Sequence, residues 1–178
     1  MTADLLPTHP LPTHSMPAPV PTGSGVVRPE WIDENDHMNL AYYVVLFDLA
    51  TVELFHSVGC ADDYQQTTGC GQFAVESHLQ YQNELRLGDE VVLASWVLGG
   101  DGKRAHLAHE MRRADDGSPV ATQELMFLNV SLTTRRVAPW PDDVRERLAA
   151  AAADHARAPR PAWVGRRIAM PGYPVSSD

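Results

Sequence analysis

The sequence is poor in the features that mark several specialised classes of protein. Its two cysteines, Cys60 and Cys70, have neither the spacing of a disulfide framework nor that of a zinc site, so we expect free thiols in the cytoplasm. No apolar run reaches the roughly 18 residues that a membrane helix needs, and no signal-peptide pattern is present. We therefore expect no membrane partner.

Positive charge is also scarce. Fourteen Lys and Arg residues stand against 23 Asp and Glu residues, which gives a formal net charge of −9. Sequence-independent nucleic-acid binding relies on clustered basic side chains that neutralise phosphates, so we expect no nucleic-acid partner. Hydrophobic residues make up 44% and charged residues 21% of the 178 residues, which is typical of one globular domain.

Proline separates the two ends of the chain from its body. Residues 1–23 are rich in proline and lack apolar periodicity, which predicts a flexible tail. Residues 24–158 form the predicted folded domain, and residues 159–178 form an extended C-terminal arm. Because the arm contains Trp163 and Ile168, we expect it to lie against the body or a neighbouring subunit, with a disordered end as the alternative.

A helix is predicted directly after Asn39, a residue that often caps helix N-termini. Gly59 suits the C-terminal end, and residues 60–71 are predicted to be a loop. Apolar residues recur there at spacings of three and four, which places them on one helix face: Leu40, Tyr43, Val44, Phe47, Ala50, Thr51, Leu54 and Val58.

After the helix the apolar period changes to two, which indicates strands. A short strand near residues 24–32 precedes the helix, and a charged, alanine-rich helix spans residues 142–157. One long helix wrapped by a curved antiparallel sheet is the hotdog fold of the α+β class, and the sheet edges favour dimerisation. Four runs joined by short Gly- and Asp-rich turns form the meander: 72–81, 91–98, 104–113 and 120–132.

The segment from Trp31 to Asn39 is unusually dense in polar chemistry. Three carboxylates, two amides and one imidazole lie within the seven residues 33–39, immediately before the long helix. Such a density is not typical of a simple connector. We interpret the segment as an active-site turn that holds a catalytic carboxylate, Asp33; the alternative is that Asp33 only caps the turn.

Three pieces of this region resemble a known signature: Pro29-Glu30-Trp31-Ile32-Asp33, His37-Met38-Asn39 and Tyr42-Tyr43. They resemble the turn of hotdog-fold acyl-CoA thioesterases of the 4-hydroxybenzoyl-CoA thioesterase superfamily. The similarity is greatest to betainyl-CoA thioesterases associated with carnitine dehydrogenase, and it extends over residues 24–165. Glu34 replaces the family's tyrosine and Asp36 its glycine, so Asp36 lacks the φ freedom of glycine.

The resemblance implies a function and a set of site residues. Asp33 would act on the thioester carbonyl of a short acyl-CoA, betainyl-CoA being one candidate, as nucleophile or general base. Gly71 would supply a backbone N–H to the oxyanion, and Glu76 has either a site role or a solvated position. Coenzyme A belongs to the substrate, no cofactor or metal is expected, and the assembly is a homodimer or homotetramer.

Several residues near Asp33 have alternative roles. His37 either donates to the thioester or positions Asp33, or it is a turn histidine, and Asn39 is first a helix cap and second a site residue. Trp31, Tyr42 and Tyr43 would form an aromatic wall for a quaternary ammonium group, or they belong to the core. Tyr43 falls on the apolar helix face and is expected to pack, so Tyr42 is the better wall candidate. The rival function is a hotdog module that binds acyl-CoA without hydrolysing it, because a fold does not fix a function.

Overall fold

A computed structural model describes residues 16–170. The five strands are β1 (Val20–Val26), β2 (Cys70–Tyr81), β3 (Glu90–Gly100), β4 (Arg104–Arg113) and β5 (Pro119–Ser131). The three helices are α1 (Leu40–Ser57), α2 (Tyr64–Thr68) and α3 (Asp142–His155), and a short 3-10 turn covers Pro29–Trp31.

The strands form one antiparallel sheet in the order β1-β3-β4-β5-β2. Strands β3, β4 and β5 follow one another as hairpins, as the predicted meander requires. The meander was wrong for β2, which does not pair with β3 but crosses to the far edge of the sheet and lies beside β5, while β1 lies beside β3 at the other edge. Helix α1 packs on one face of this sheet. The predicted α+β hotdog arrangement, a long helix wrapped by an antiparallel sheet, is confirmed.

Helix α1 begins where the sequence predicted. The Asn39 side chain accepts a hydrogen bond from the Ala41 N–H at 3.0 Å, which satisfies one free donor of the first turn, and Gly59 follows the helix with φ of +100°. By length and composition alone α1 would also suit a membrane span, but seven of its side chains are buried within the domain. It is the core helix of the fold.

The buried face of α1 agrees with the predicted one at six of its eight residues: Tyr43, Phe47, Ala50, Thr51, Leu54 and Val58. It differs at Leu40, 62% exposed, and Val44, 41% exposed, and it also includes Leu46 and Phe55. The helix sequence is apolar on almost every side, so periodicity does not fix the edges of the face that meets the sheet. Contact with the curved sheet decides them.

Other predicted boundaries differ from the observed ones by a few residues. Strand β1 begins at Val20, inside the segment predicted as tail, and pairs there with Ser95 of β3. The predicted loop 60–71 contains α2, and its last two residues already belong to β2. The rest of the predicted tail, residues 1–15, and residues 171–178 of the predicted arm lie outside the described residues.

The described part of the arm lies across the sheet face opposite to α1. Trp163 packs edge-on against Trp96 of β3, with ring centroids 6.1 Å apart, and the Gly165 N–H donates to the Glu124 carboxylate of β5 at 2.6 Å. Trp96, Ala108 and Glu124 lie in one row across three strands, so the arm crosses the strands. Ile168 beyond this point is 91% exposed.

A buried chain of polar side chains joins β1, β3, β4 and α1. Thr51 donates to the Phe47 carbonyl at 2.9 Å, so its oxygen accepts the hydrogen on Nε2 of His109 at 3.0 Å. Nδ1 of His109 then accepts from Ser95 at 2.6 Å, and the Ser95 oxygen accepts from Thr22 at 2.7 Å. Burial lowers the pKa of His109 to about 3, so the imidazole is neutral.

Candidate active site

The backbone of the segment from Trp31 to Asn39 folds back on itself. Ile32 and Met38 form an isolated antiparallel bridge, and the Asp33 N–H donates to the His37 carbonyl at 3.1 Å. Asp36 has φ of +61°, the left-handed region that favours glycine but that aspartate also tolerates. The departure from glycine at position 36 therefore leaves the closed turn intact.

Met38 anchors this turn in the domain. Its side chain is 1% exposed, and its N–H donates to the Leu85 carbonyl at 2.7 Å. The Asn39 N–H donates to the Trp31 carbonyl at 2.9 Å, which fixes the start of α1 against the turn. The polar residues between these anchors therefore stand on a rigid base.

The Asp33 carboxylate is held mainly from within the turn. Its Oδ1 accepts from the Asn35 N–H at 2.9 Å, and its side chain is 13% exposed. Nδ1 of His37 lies 3.6 Å from Oδ1, and Nδ2 of Asn39 lies 3.5 Å from Oδ2, both at the long limit of useful contact. His37 and Asn39 thus flank the carboxylate, and Asn39 also caps α1, as predicted.

The N-terminus of α1 lies beside Asp33. The first N–H groups of a helix have no intrahelical acceptor and carry the positive end of the helix dipole. Asn39 occupies the Ala41 N–H, and the Leu40 N–H has no acceptor within residues 16–170. A donor is therefore available next to the carboxylate.

An open cleft of about 350 Å³ connects these groups. Tyr43 and Tyr81 contribute aromatic surface; their rings meet edge to face with centroids 5.2 Å apart. The Tyr43 oxygen accepts from the Leu85 N–H at 3.1 Å, and burial raises the pKa of Tyr43, so its hydroxyl stays protonated. The lining residues are Asp33, Asn35, His37, Met38, Leu40, Tyr43, Tyr81, Gln82, Asn83 and Glu84.

Trp31 and Tyr42 lie outside the lining of this cleft. Their rings stack with centroids 5.3 Å apart and an interplanar angle of 17°, and the Arg28 guanidinium lies 5.3 Å from the Trp31 ring centroid. The Trp31 ring thus already has an aromatic partner and a cation. Tyr42, the better wall candidate by its helix position, was therefore the wrong choice. Tyr43 lines the cleft but is a packed ring, 4% exposed, and the structure adds Tyr81.

Gly71 and Glu76 lie away from Asp33 within one chain. Gly71 is near the start of β2, and ten residues of strand, about 33 Å, separate it from Tyr81 at the cleft. Glu76 is exposed at a β-bulge in the middle of β2 and lines another cleft, with His78, His106 and Glu124. The structure therefore brings Asp33, His37, Asn39 and Tyr43 together, but not Gly71 or Glu76.

Comparisons with known proteins agree with this fold and turn. The sequence profile of the thioesterase-like superfamily matches residues 27–148. The chain belongs to the thioesterase-like superfamily. Thioester hydrolysis, which the resemblance implied, is therefore confirmed as the activity of its family.

Named relatives of this thioesterase-like chain match about three quarters or more of its length. The chain is 36% identical over 145 residues to the betainyl-CoA thioesterase of Pseudomonas aeruginosa, covering 82% of this chain and 91% of that protein. It is 34% identical over 133 residues to an L-carnitine dehydrogenase/betainyl-CoA thioesterase of Ruegeria pomeroyi. That match covers 74% of this chain and 27% of the longer protein.

Solved structures show the same fold. A Staphylococcus aureus protein in complex with CoA matches with a TM-score of 0.78 and 27% identity, over 86% of this chain and 97% of that one. A candidate thioesterase of Pseudomonas putida KT2440 matches with a TM-score of 0.74 and 32% identity over the same shares. The thioesterase-like turn of this chain thus lies within a fold that holds CoA in a neighbour.

Sequence reasoning missed Tyr81 and the Leu40 N–H as parts of the cleft. Tyr81 ends a strand forty residues after the turn, and only the packing of β2 against α1 brings it there. In the sequence, the feature that pointed to Tyr81 was its position at the end of the alternating apolar run 72–81. The Leu40 donor was readable from the helix cap, because a cap marks where free N–H groups begin.

Proposed function

We propose that this protein hydrolyses acyl-CoA thioesters in the cleft beside Asp33. The observation that carries the proposal is the pairing of a carboxylate, held by the Asn35 N–H, with the N-terminus of α1 at the end of a cleft. Thioester hydrolysis needs a nucleophile or a base on one side of the carbonyl and donors for the developing oxyanion on the other. Asp33 and the Leu40 N–H supply these two elements.

Two routes are compatible with this geometry. Asp33 takes a proton from water, the resulting hydroxide adds to the carbonyl, and the tetrahedral oxyanion expels CoA thiolate, which receives the proton. Alternatively, the Asp33 oxygen adds to the carbonyl and expels CoA thiolate, and water then hydrolyses the mixed anhydride. Rapid-quench mass spectrometry during turnover separates the routes, because only the second gives an enzyme acylated at Asp33.

The oxyanion is stabilised by the N-terminus of α1 in this proposal. The Leu40 N–H points from the same helix end that Asn39 caps, and a fixed helix terminus favours negative charge without reorganisation. Gly71 of the same chain is too distant for this role. It reaches the cleft only if a second protomer contributes it.

A homodimer formed through β2 would bring Gly71 to the cleft. Strand β2 lies at the sheet edge, and two-fold antiparallel pairing of its twelve residues places the Gly71 end of one protomer beside the Tyr81 end of its partner. Both α1 and β2 also expose apolar side chains that an interface could bury: Leu40, Val44, Val45, Leu49, Val52 and Val75. We propose a dimer, or a tetramer built from such dimers.

Analytical ultracentrifugation tests this assembly. A dimer or tetramer is expected for the wild type, and Leu49→Asp, which places a charge on the exposed α1 surface, should shift it toward monomer. The matched variant Leu87→Asp, at an exposed loop position, should leave the assembly unchanged. A monomeric wild type would contradict the proposed assembly, although the chemistry at Asp33 would be tested separately.

The proposed acyl group is betainyl, the substrate named for the relatives in Pseudomonas aeruginosa and Ruegeria pomeroyi. The half-exposed Tyr81 ring would contact its quaternary ammonium, an attraction of roughly 0.5 to 2 kcal/mol, while the buried Tyr43 ring supports Tyr81 from behind. Asp33 and Glu84 add negative charge to the cleft. Trp31 has a supporting role here, since its ring already packs with Tyr42 and Arg28.

Thiol release from a panel of CoA thioesters tests the function and the acyl group together. Betainyl-CoA and 3,3-dimethylbutanoyl-CoA form a matched pair, because they have the same shape and differ in the charge. The expected preference for the cation is about 2- to 30-fold in kcat/KM, and Tyr81→Leu should reduce it. Equal rates for the pair would contradict a cation site.

Asp33→Asn and Glu146→Gln provide the matched variants for the chemistry. Glu146 is an exposed carboxylate on α3, away from the cleft, so its replacement should leave thiol release unchanged. Asp33→Asn should abolish most of the thiol release. Binding of CoA thioesters without thiol release from any of them would instead identify a non-catalytic acyl-CoA-binding module.

A further inference from the structure

A cleft of about 260 Å³, distinct from those lined by Asp33 and by Glu76 and here called the second cleft, lies where the end of α3 meets β3. Its surface is largely apolar, formed by Trp96, Leu98, Ala156, Ala158 and Pro161. It lies seven residues, about 23 Å, along β3 from Glu90, the end that adjoins the Asp33 turn. The cleft is therefore separate from the proposed active site.

One buried imidazole in this cleft has an unused donor. Strand β1 stops pairing with β3 at Ser95, so the Val97 N–H lies beyond the end of that partner strand, and it donates to Nδ1 of His155 at 2.8 Å. Because Nδ1 accepts, the hydrogen of the neutral ring is on Nε2. His155 is only 5% exposed, and its Nε2 is buried without a hydrogen-bond partner within residues 16–170.

The charge state of His155 and its neighbours suits an acceptor. Burial lowers the pKa of His155, so the ring is a neutral donor. The adjacent Asp154 carboxylate is already engaged, with Arg157 at 2.9 Å and with the Met16 N–H at 3.0 Å. Arg160 lines the cleft, is exposed, and has no carboxylate within ion-pair distance in the part of the chain that the structure describes.

We propose that this cleft binds a small monocarboxylate with an apolar body. The carboxylate would accept the hydrogen bond from Nε2 of His155 and pair with the Arg160 guanidinium. The apolar body would lie against Trp96 and Pro161. Satisfying a buried donor and a free cation with one anion, while removing apolar surface from water, is the combination typical of small-molecule sites.

Amide-detected NMR titration with cyclohexanecarboxylate tests the site, with cyclohexylmethanol as the uncharged probe of the same shape. The Val97 N–H reports on the second cleft and the Leu40 N–H on the Asp33 cleft, so binding at the two places is distinguished. We expect saturable shifts of Val97 and of the His155 ring nitrogens with the carboxylate. Cyclohexylmethanol should bind at least about tenfold more weakly than the carboxylate.

Arg160→Gln and Arg167→Gln are the matched variants, since each removes one exposed arginine from the same arm and only Arg160 lines the cleft. Arg160→Gln should weaken carboxylate binding about tenfold, whereas Arg167→Gln should leave it unchanged. His155→Asn, whose side-chain oxygen can still accept from Val97, should weaken it as well. Equal binding of acid and alcohol, equal effects of the two arginine variants, or shifts confined to Leu40 would overturn the proposal.

Discussion

The Asp33 turn and the buried chain through His109 both place an imidazole beside oxygen atoms, but they are built differently. Asp33 and His37 are four residues apart, and their 3.6 Å contact forms within one turn. His109 is held by Ser95 and Thr51, from another strand and from α1, and is fully buried. A turn made from local contacts can keep its polar groups accessible, whereas a buried polar group needs partners from elsewhere in the fold.

This difference predicts that the two regions control separate properties. Loss of the Asp33 carboxylate should alter turnover with little effect on unfolding, because this side chain lines the cleft and is held by contacts within its own turn. Changes in the buried chain should alter unfolding with little effect on chemistry. Four experiments test this separation, beginning with the largest expected effect.

The largest effect is expected for Asp33→Asn. The amide keeps the shape of the side chain but can neither add to a carbonyl nor take a proton from water. We expect kcat to fall by about 10³-fold or more, close to 4 kcal/mol in activation free energy, while the free energy of unfolding changes by less than about 0.5 kcal/mol. Steady-state thiol release and urea denaturation measure the two quantities on the same preparation.

An Asp33→Asn variant that unfolds much more readily would break the separation between the regions. It would show that the carboxylate contact with the Asn35 N–H at 2.9 Å holds the fold as well as the site. Unchanged turnover would remove Asp33 from the mechanism.

The second effect concerns the pH dependence of stability. The pKa of His109 is about 3 in the folded protein against an ordinary value of 6.5, so between these values the unfolded chain binds more protons. The stability that comes from keeping His109 neutral is therefore fully present above pH 6.5. It is lost as the pH falls, at up to about 1.4 kcal/mol of unfolding free energy per pH unit. Urea denaturation at pH 7 and pH 5 should show the loss.

His109→Phe identifies the source of this pH dependence. The variant should be less stable at pH 7, because Ser95 and Thr51 lose their partner, but its stability should fall less between pH 7 and pH 5. If the unfolding free energy falls equally with pH in wild type and His109→Phe, His109 is excluded as the titrating group. His155 would then be the candidate, because burial lowers its pKa as well.

Asn39→Ala tests the residue that joins the turn to the core helix. Loss of the cap on the Ala41 N–H should cost about 1 kcal/mol of stability. Turnover should fall too, since the Asn39 amide flanks the Asp33 carboxylate. Asn39→Ser restores a capping oxygen without the amide, so it should recover most of the stability but not the turnover; recovery of both would make Asn39 a cap alone.

The smallest effect is expected for Asp36→Gly. Aspartate at φ of +61° is less favourable than glycine, so the replacement should stabilise the protein by about 0.5 kcal/mol. Asp36→Ala should destabilise it, since alanine adopts a φ of +61° less readily than either glycine or aspartate. Thermal unfolding of the three proteins gives the order, and a more stable Asp36→Ala variant would contradict the strained turn.

Local patterns predicted the parts of the protein that depend on near neighbours. The Asn39 cap, the long helix and the alternating strands follow from residue preferences over a few positions, and the turn was recognisable from its density of polar groups. The helix face was right at six of eight residues and wrong at Leu40 and Val44, because apolar side chains all around the helix blur the edges of the buried face. The positions of Gly71, Glu76 and Trp31 relative to Asp33 depend on strand pairing and side-chain stacking, which local patterns do not encode.

The sequence by itself determined the thioesterase-like family and the hotdog class, and it singled out Asp33 as the candidate carboxylate, because these signals are carried by contiguous residues. Only the tertiary structure decided that Tyr81 and Tyr43 line the cleft while Trp31 packs with Arg28. It also decided which histidines are buried and neutral. The physical reason is that burial and cleft lining arise from contacts between residues distant in the chain, such as Ser95 with His109 and Val97 with His155.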